Sequence, residues 1–581
     1  RHNHRTAHSG IRIRRDPLAK MSEEVKMYSM EEIAEHNKEG DMWVVINGEV
    51  FDISDFIEAH PGGQKVLAVE AGKDATKRYE LFHGADVMRK YGPRLRIGFV
   101  KGSKAGKAAA RAASPNAKQA EEKYHAKRDR AIAMTLNSMF GPARKPDTNV
   151  LVRTNPYGQL VPYGDPSWYQ TLNSPYYKKT HVEWRQKCRQ WMDTHITPFV
   201  KKWNEDYGPG EDGYKHIIKQ MYKDGLMPAC VGPPWPSMYV DKKGPEEFDS
   251  FHELIFVDEM SRCGSGGVTW GILGGITIGL PPIIHFGSEE LKKRVVPGCL
   301  NGDKVICLCI TEPHAGSDVA GLQTTAEKSE CGKYYIVNGS KKWITNGIWS
   351  DYYTVAVRTG GKGPKGISLL LIEKDMEGVS TRHMKCMGVW ASGTTYINFD
   401  NVKVPVSNLI GKENKGWKYV MYNFNHERWT IICQSLRFAR VCYEEAFKYA
   451  SRRETFGRSL IKHQAIRMKL AEMIRKIEST QSWLESLTYQ LTTMNKKEQN
   501  MKLGGAIALL KTHATKTFEF CAREAAQIFG GAAYTRGGVG EKVERLYRDV
   551  RAYAIPGGSE EIMMDFGSRE AVKKFERFSR M

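Results

Sequence analysis

No C-x-x-C pair occurs in the 581 residues, and the eleven cysteines, Cys188 to Cys521, are odd in number. This excludes a disulfide framework or a cysteine-built zinc site as the organising element, and reduced, buried thiols are expected. Cys307 and Cys309 read as one face of a strand. Long apolar runs are also scarce. The longest uncharged stretch, Cys263 to Ile284, carries seven glycines and the pair Pro281-Pro282. It reads as buried helix ends and loops, so no membrane span is expected. The chain does not open on Met. Residues 1–20 are basic and poor in acids, and read as a disordered tail or upstream sequence, with a mitochondrial transit peptide as the alternative.

Apolar residues make up 41% of the chain and aromatics 10%, which supplies several cores over a length that calls for about three or four domains. The net charge of +21 is unevenly placed: residues 1–20 carry +5, residues 101–150 carry +7, and the other 511 residues only +9. Charge concentrated in a tail and a linker reads as solvated chain, and no specific nucleic-acid partner is expected.

Residues 26–100 form the first module, after a tail at 1–25. Trp43-Val44-Val45-Ile46, Asn47-Gly48 and Glu49-Val50-Phe51-Asp52 predict a hairpin with a primed turn. Helical stretches follow, Gln64 to Ala71 and a second one opened by Asp74 as its cap. His60 precedes Pro61 and two glycines, which fix a turn and permit close approach of a flat ligand. His83 lies 23 residues on. Such a pair is either two axial ligands to an iron porphyrin or two ordinary histidines. The His60-Pro61-Gly62-Gly63 run, with Asp52-Ile53-Ser54-Asp55-Phe56, Gly72-Lys73-Asp74-Ala75-Thr76 and Phe82-His83, resembles cytochrome b5. The resemblance implies an α+β module holding a six-coordinate haem b between His60 and His83, working as a one-electron carrier.

Residues 101–175 are rich in Ala, Lys and Gly, then punctuated by proline, and read as a mobile basic tether. Beyond them the pattern is helical over 176–302; Trp184, Cys188, Trp191, Met192 and Ile196 follow helical spacing. Residues 303–408 turn to short β-branched and aromatic runs (Val305–Ile310, Tyr334–Val337, Tyr352–Val357, Ile367–Ile372, Thr395–Phe399), a small antiparallel barrel or sandwich. Residues 409–581 return to long helices.

Four segments in this helical–β–helical order carry a second resemblance: Thr311-Glu312-Pro313-His314-Ala315-Gly316-Ser317-Asp318, Lys342-Trp343-Ile344-Thr345-Asn346-Gly347, Arg453-Glu454-Thr455-Phe456-Gly457 and Gln527-Ile528-Phe529-Gly530-Gly531. Together they resemble the acyl-CoA dehydrogenase family, and imply an FAD enzyme converting a saturated acyl-CoA to the trans-2-enoyl-CoA in fatty-acid β-oxidation or branched-chain acyl breakdown. The resemblance assigns Ile310, Thr311, Gly316 and Ser317 to the loop donating to the flavin. It places Trp343 and Thr345 beside the flavin ring. Arg453, Phe456, Gln527 and Gly531 match contacts made to the flavin of a neighbouring subunit, which implies a homodimer or homotetramer. Ser559 and Glu561 are further cofactor candidates.

The reaction needs a base α to the thioester, and an apolar pocket raises a carboxylate toward that role. Many relatives carry this Glu in a late Tyr-Glu-Gly-Thr loop; the corresponding stretch here is Pro556-Gly557-Gly558-Ser559. A second lineage, with the isovaleryl and long-chain enzymes, has it on a helix before an Arg, and Phe424-Asn425-His426-Glu427-Arg428-Trp429 resembles that helix. Glu427 is the expected base, Arg428 its orienting partner, and the Gly557 N–H a donor to the thioester carbonyl; Glu560 or Glu561 could serve as base only with a shift of the loop register. Two rivals remain: an acyl-CoA oxidase using oxygen, and an electron-transfer or binding protein whose flavin half has lost its chemistry. Fusion to the haem module suggests that electrons pass from flavin to haem, and then to an electron-transfer flavoprotein or another redox partner. Ser579-Arg580-Met581 resembles a variant of the peroxisomal Ser-Lys-Leu address, read by the import receptor; the mitochondrial matrix is the alternative location.

Overall fold

The computed structural model describes residues 26–57, 60, 64–82, 88, 92, 95–112 and 156–578. They fall into two compact units, one on each side of the Lys145/Pro146 boundary. His83 and the Ser579-Arg580-Met581 tail lie outside the described residues.

The first unit is built on a five-stranded sheet, with the hairpin Asp41–Ile46/Glu49–Asp52 at its centre. Asn47 and Gly48 both take positive φ (53° and 78°), the primed turn that matches the twist of the flanking strands. The Asn47 N–H donates to Thr76 Oγ1 at 2.8 Å, tying the turn to the start of the helix Thr76–Phe82. Asp74 receives the Thr76 N–H, as the capping reading requires. The helix predicted over Gln64 to Ala71 ends earlier, at Ala68. Val44, Phe51 and Ile53 form the core on one face of the sheet, Val45, Val50 and Ile33 on the other.

The second unit is helical at both ends with a β-rich middle. Among its helices are α1 (Lys179–His195), α2 (Ser250–Ser261), α3 (Gly416–Arg452), α4 (Gln464–Thr493), α5 (Gly504–Phe529), α6 (Glu541–Ala554) and α7 (Glu560–Phe578). The α1 residues Trp184, Cys188, Trp191 and Met192 are buried, together with Ile196 just beyond. Cys263 to Ile284 is buried as expected but more helical than helix ends and loops. Gly266 to Phe286 is almost continuously helical, with a π-turn at Trp270–Gly274. Its glycines let the backbone press against other backbone: a Cβ on Gly275 would stand 1.9 Å from the Ile306 carbonyl oxygen. The stretch is long and apolar enough to cross a membrane, but 78% of that window is buried inside the protein.

The middle region is β-rich as expected, eight strands in one hydrogen-bonded sheet, but it is not all antiparallel. Ile306–Cys309 and Thr325–Lys328 both pair in parallel with Tyr352–Arg358. Thr325–Lys328 and Val379–His383 escape a reading by apolar runs because they are short and polar. Alternation divides the sheet: Tyr353, Val355 and Val357 pack into its own core, while Tyr352 and Ala356 join the large helical core. Both faces are covered, so these strands read as continuous apolar runs.

The tether reading fails at both ends. Lys104–Ala112 is a helix. Residues 156–175 pack into the second unit, where Trp168 and Tyr169 are each 1% exposed. The buried Arg185 guanidinium lies 3.9 Å from the ring centroid of Tyr157 and 4.6 Å from that of Tyr169. Proline frequency suggested a linker, but these aromatics supply the burial that a free linker lacks. All eleven cysteines are free, nine of them buried.

Candidate active site

Helix α3 is about 55 Å long on helical geometry, and Glu427 lies in its first half. Asn423, one turn earlier, donates to the Thr277 carbonyl, which seats this part of α3 on the glycine-rich helix. Glu427 is half-buried as a residue, yet its Oε2 is fully buried and has no hydrogen-bond partner. An orphaned carboxylate oxygen is costly unless a ligand or a proton meets it. Burial pushes the Glu427 carboxyl above the ordinary range, opposed by Arg428, Lys511 and His426.

Arg428 Nε donates to the Gly557 carbonyl at 2.8 Å. Its guanidinium lies over Phe424 and Phe566, 5.4 and 5.7 Å from their ring centroids. Gly557 has φ +68°, and a Cβ there would stand 3.0 Å from Ile431 Cδ1 and 4.0 Å from Glu427 Oε1. The turn position that bears no carboxylate thus faces the helix position that does. Ser559 receives the Ile562 N–H at the start of α7, and Glu561 is exposed in its first turn.

A second cluster joins the loop after strand Ile306–Cys309 to the end of strand Tyr334–Ile344. Lys341 is fully buried; its Nζ donates to the Ile310 carbonyl at 3.0 Å and to Glu312 at 2.7 Å. The Glu312 carboxylate also receives the N–H groups of Gln323 and Thr324. The Lys342 N–H bonds the Thr311 carbonyl. Trp343 takes φ +60°, an unusual state for a bulky residue, and is 49% exposed with the Lys342 ammonium over its ring. Gly316 and Ser317 are exposed, with open space where a Gly316 Cβ would lie. The arrangement presents a half-open indole beside a loop of polar groups, which suits a flat heteroaromatic with an anionic tail.

The two clusters meet at the π-turn. Gly274 leaves room for the Thr345 methyl, 3.1 Å from where a Cβ would be. Trp270 donates to Gln434 on α3 and packs 4.8 Å from the Tyr553 ring on α6, the helix leading to the Gly557 turn. Arg453, Phe456, Gln527 and Gly531 are all exposed, Phe456 at 96% with φ +51°. They lie on the surface of the single chain.

Sequence reasoning missed Lys511 and the Lys341–Glu312 pair. Lys511 is fully buried on α5, and burial lowers its ammonium to about 8. The available signal was a lysine inside the apolar stripe Ile507, Leu510, Ala514, Phe518, all buried.

In the first unit His60 stands half-buried, its ring edge-on to Phe56 at 6.1 Å. Among the described residues, His181, Asp249 and His252 have metal-like spacing. However, His181 Nδ1 already accepts the Lys178 N–H, so its Nε2 carries the proton and faces Asp249 as a donor. The trio is a hydrogen-bonded cap on α2.

Comparisons agree with this geometry. The chain matches the model of the cytochrome b5-like heme/steroid binding domain over residues 29–101. It matches the acyl-CoA dehydrogenase N-terminal, middle and C-terminal domain models over 178–303, 307–402 and 414–572. It is 42% identical over 425 residues to the acyl-CoA dehydrogenase apdG of Emericella nidulans, covering 72% of this chain and 96% of that one. Among solved structures, the butyryl-CoA dehydrogenase of Megasphaera elsdenii superposes with TM-score 0.61 at 27% identity, covering 68% of this chain and 99% of that one. An acyl-CoA dehydrogenase of Bacillus anthracis, solved in complex with FAD, gives 0.62 at 25% identity and covers 69% of each chain.

Proposed function

Because this chain belongs to the acyl-CoA dehydrogenase family, we propose that its second unit oxidises an acyl-CoA to the trans-2-enoyl-CoA with Glu427 as the base. The carrying observation is the buried, partnerless Oε2 of Glu427 beside the Gly557 turn. Glu427 takes the α-proton of the thioester, and the proton affinity that burial raises suits that task. Arg428 holds the turn by its bond to the Gly557 carbonyl. The Gly557 N–H donates to the thioester carbonyl, where negative charge builds as the proton leaves.

FAD, when bound, supplies the acceptor for the β-hydride. Ile310, Thr311, Gly316 and Ser317 would hold its polar parts, Trp343 and Thr345 would flank its ring, and Ser559 and Glu561 would bound the site at α7. Arg453, Phe456, Gln527 and Gly531 would serve the flavin of a second copy in a homodimer or homotetramer; their exposure supports that reading. In the first unit His60 and His83 would hold haem b, which supplies one-electron acceptance. The fusion of the two modules supports a route for electrons through the haem to an electron-transfer flavoprotein or another redox partner. The substrate is a fatty or branched-chain acyl-CoA, and the C-terminal tripeptide supports import into the peroxisome.

An anaerobic visible spectrum during addition of acyl-CoAs of graded length tests this. Flavin bleaching followed by ferrous haem bands is expected. Bleaching with ferric haem would remove the electron route and keep the dehydrogenase; in a separate aerobic assay, peroxide formation with rapid oxygen uptake would favour an oxidase.

A further inference from the structure

The turn that faces the base is gripped from two helices. From α3, Arg428 holds the Gly557 carbonyl. From α5, Lys511 Nζ donates to the carbonyls of Ala554 at 2.6 Å and Gly558 at 2.9 Å. Its neighbours continue the grip: Thr512 Oγ1 donates to the Glu560 carbonyl and Thr515 Oγ1 to Glu560 Oε1 at 3.1 Å. A lysine with no exposed surface, inside an apolar stripe, forfeits hydration that these two carbonyls restore only in part. Two neutral carbonyls could be held by a hydroxyl or an amide; an ammonium adds a charge, and the groups that feel it are Glu427 on α3 and Glu560 on α7.

We propose that Lys511 is a positioning residue for the reaction: it fixes the Ala554–Gly558 turn against Glu427, and its ammonium keeps Glu427 available as a carboxylate. The inference rests on Glu427 being the base. The charges around that carboxyl are Arg428 and His426 from its own helix and Lys511 from α5; burial opposes all three. Lys511 in turn faces Glu560, Arg428, Glu427 and Arg551. Arg428 is the larger of these charges and comes from the base's own helix; Lys511 is the cation that reaches the base from another helix. Removing it leaves burial less opposed, and the base then takes up its proton at higher pH.

The test uses the flavin-loaded full chain with Lys511→Gln, Lys511→Met and Lys511→Arg. Two quantities are followed against pH: the rate of flavin reduction by acyl-CoA, and the protonated-carboxyl infrared band of Glu427, identified by its loss in Glu427→Gln. In Lys511→Gln, which keeps an amide donor without the charge, the acid limb of the rate and the infrared midpoint should both rise by about one pH unit. Lys511→Arg should return both toward the wild-type positions. An unmoved midpoint in Lys511→Gln, or an equal shift in Lys511→Arg, overturns the proposal and leaves Lys511 a mechanical clamp. If Lys511→Met fails to fold, the Gln and Arg variants still decide. The infrared titration needs no turnover, so it stands even if full activity of Glu427→Gln removes the base assignment.

Discussion

Nε of Arg428 donates to the carbonyl oxygen of Gly557 at 2.8 Å, across 129 positions of sequence. The residue after the base therefore holds the turn from which a base is missing. One consequence is that Gly557 has two constraints, its φ of +68° and a would-be Cβ only 3.0 Å from Ile431 Cδ1. Gly557→Ala should lower stability by about 1–2 kcal/mol through the left-handed backbone alone. It should lower turnover more than tenfold by pushing the turn off Glu427. Thermal melting and single-turnover flavin reduction would measure the two effects; wild-type values for both would show that the contact is unimportant.

The raised proton affinity of Glu427 has a signed effect on stability. Its folded pKa lies above the unfolded value, so its contribution is fully present below about pH 4 and is lost as pH rises through the folded pKa. Glu427→Gln should thus match the wild type in acid and melt at higher temperature at neutral pH. Melting curves at pH 4 and pH 8 check this, and a variant less stable at pH 8 would contradict it.

Trp168 is 1% exposed and stacks on Tyr177 at 4.1 Å. Truncation to alanine should cost about 3–5 kcal/mol, as for other large buried aromatics. Denaturant unfolding of the second unit would detect it. A loss under 1 kcal/mol would mean that residues 156–175 are a loosely attached tether after all.

In the first unit, His60→Ala should abolish the low-spin haem spectrum and leave flavin bleaching by acyl-CoA intact, because the two units have separate cores. Loss of both signals, or retention of haem, would count against the assignment.

The sequence was most readable where a local pattern decides local structure. The Asn47-Gly48 turn and the α1 stripe from Trp184 to Ile196 need only their neighbours. It was least readable where long-range packing overrides composition. Proline and glycine around Val161 and Gly274 read as loop, yet cation–π contacts to Arg185 and close backbone approach make both regions part of a core. The sequence does not show which groups Lys341 and Lys511 meet; the fold buries each against carbonyls brought from elsewhere. The base helix and the glycine of the late turn were both visible as motifs, but their contact was not.

The most direct test of the account is anaerobic mixing of acyl-CoA with wild type and with Glu427→Gln, both loaded with flavin, following flavin absorbance in a single turnover. The wild type should bleach, and Glu427→Gln should bind flavin normally but bleach at least about 100-fold more slowly, the loss expected for a general base. Bleaching of Glu427→Gln at the wild-type rate would contradict the central claim.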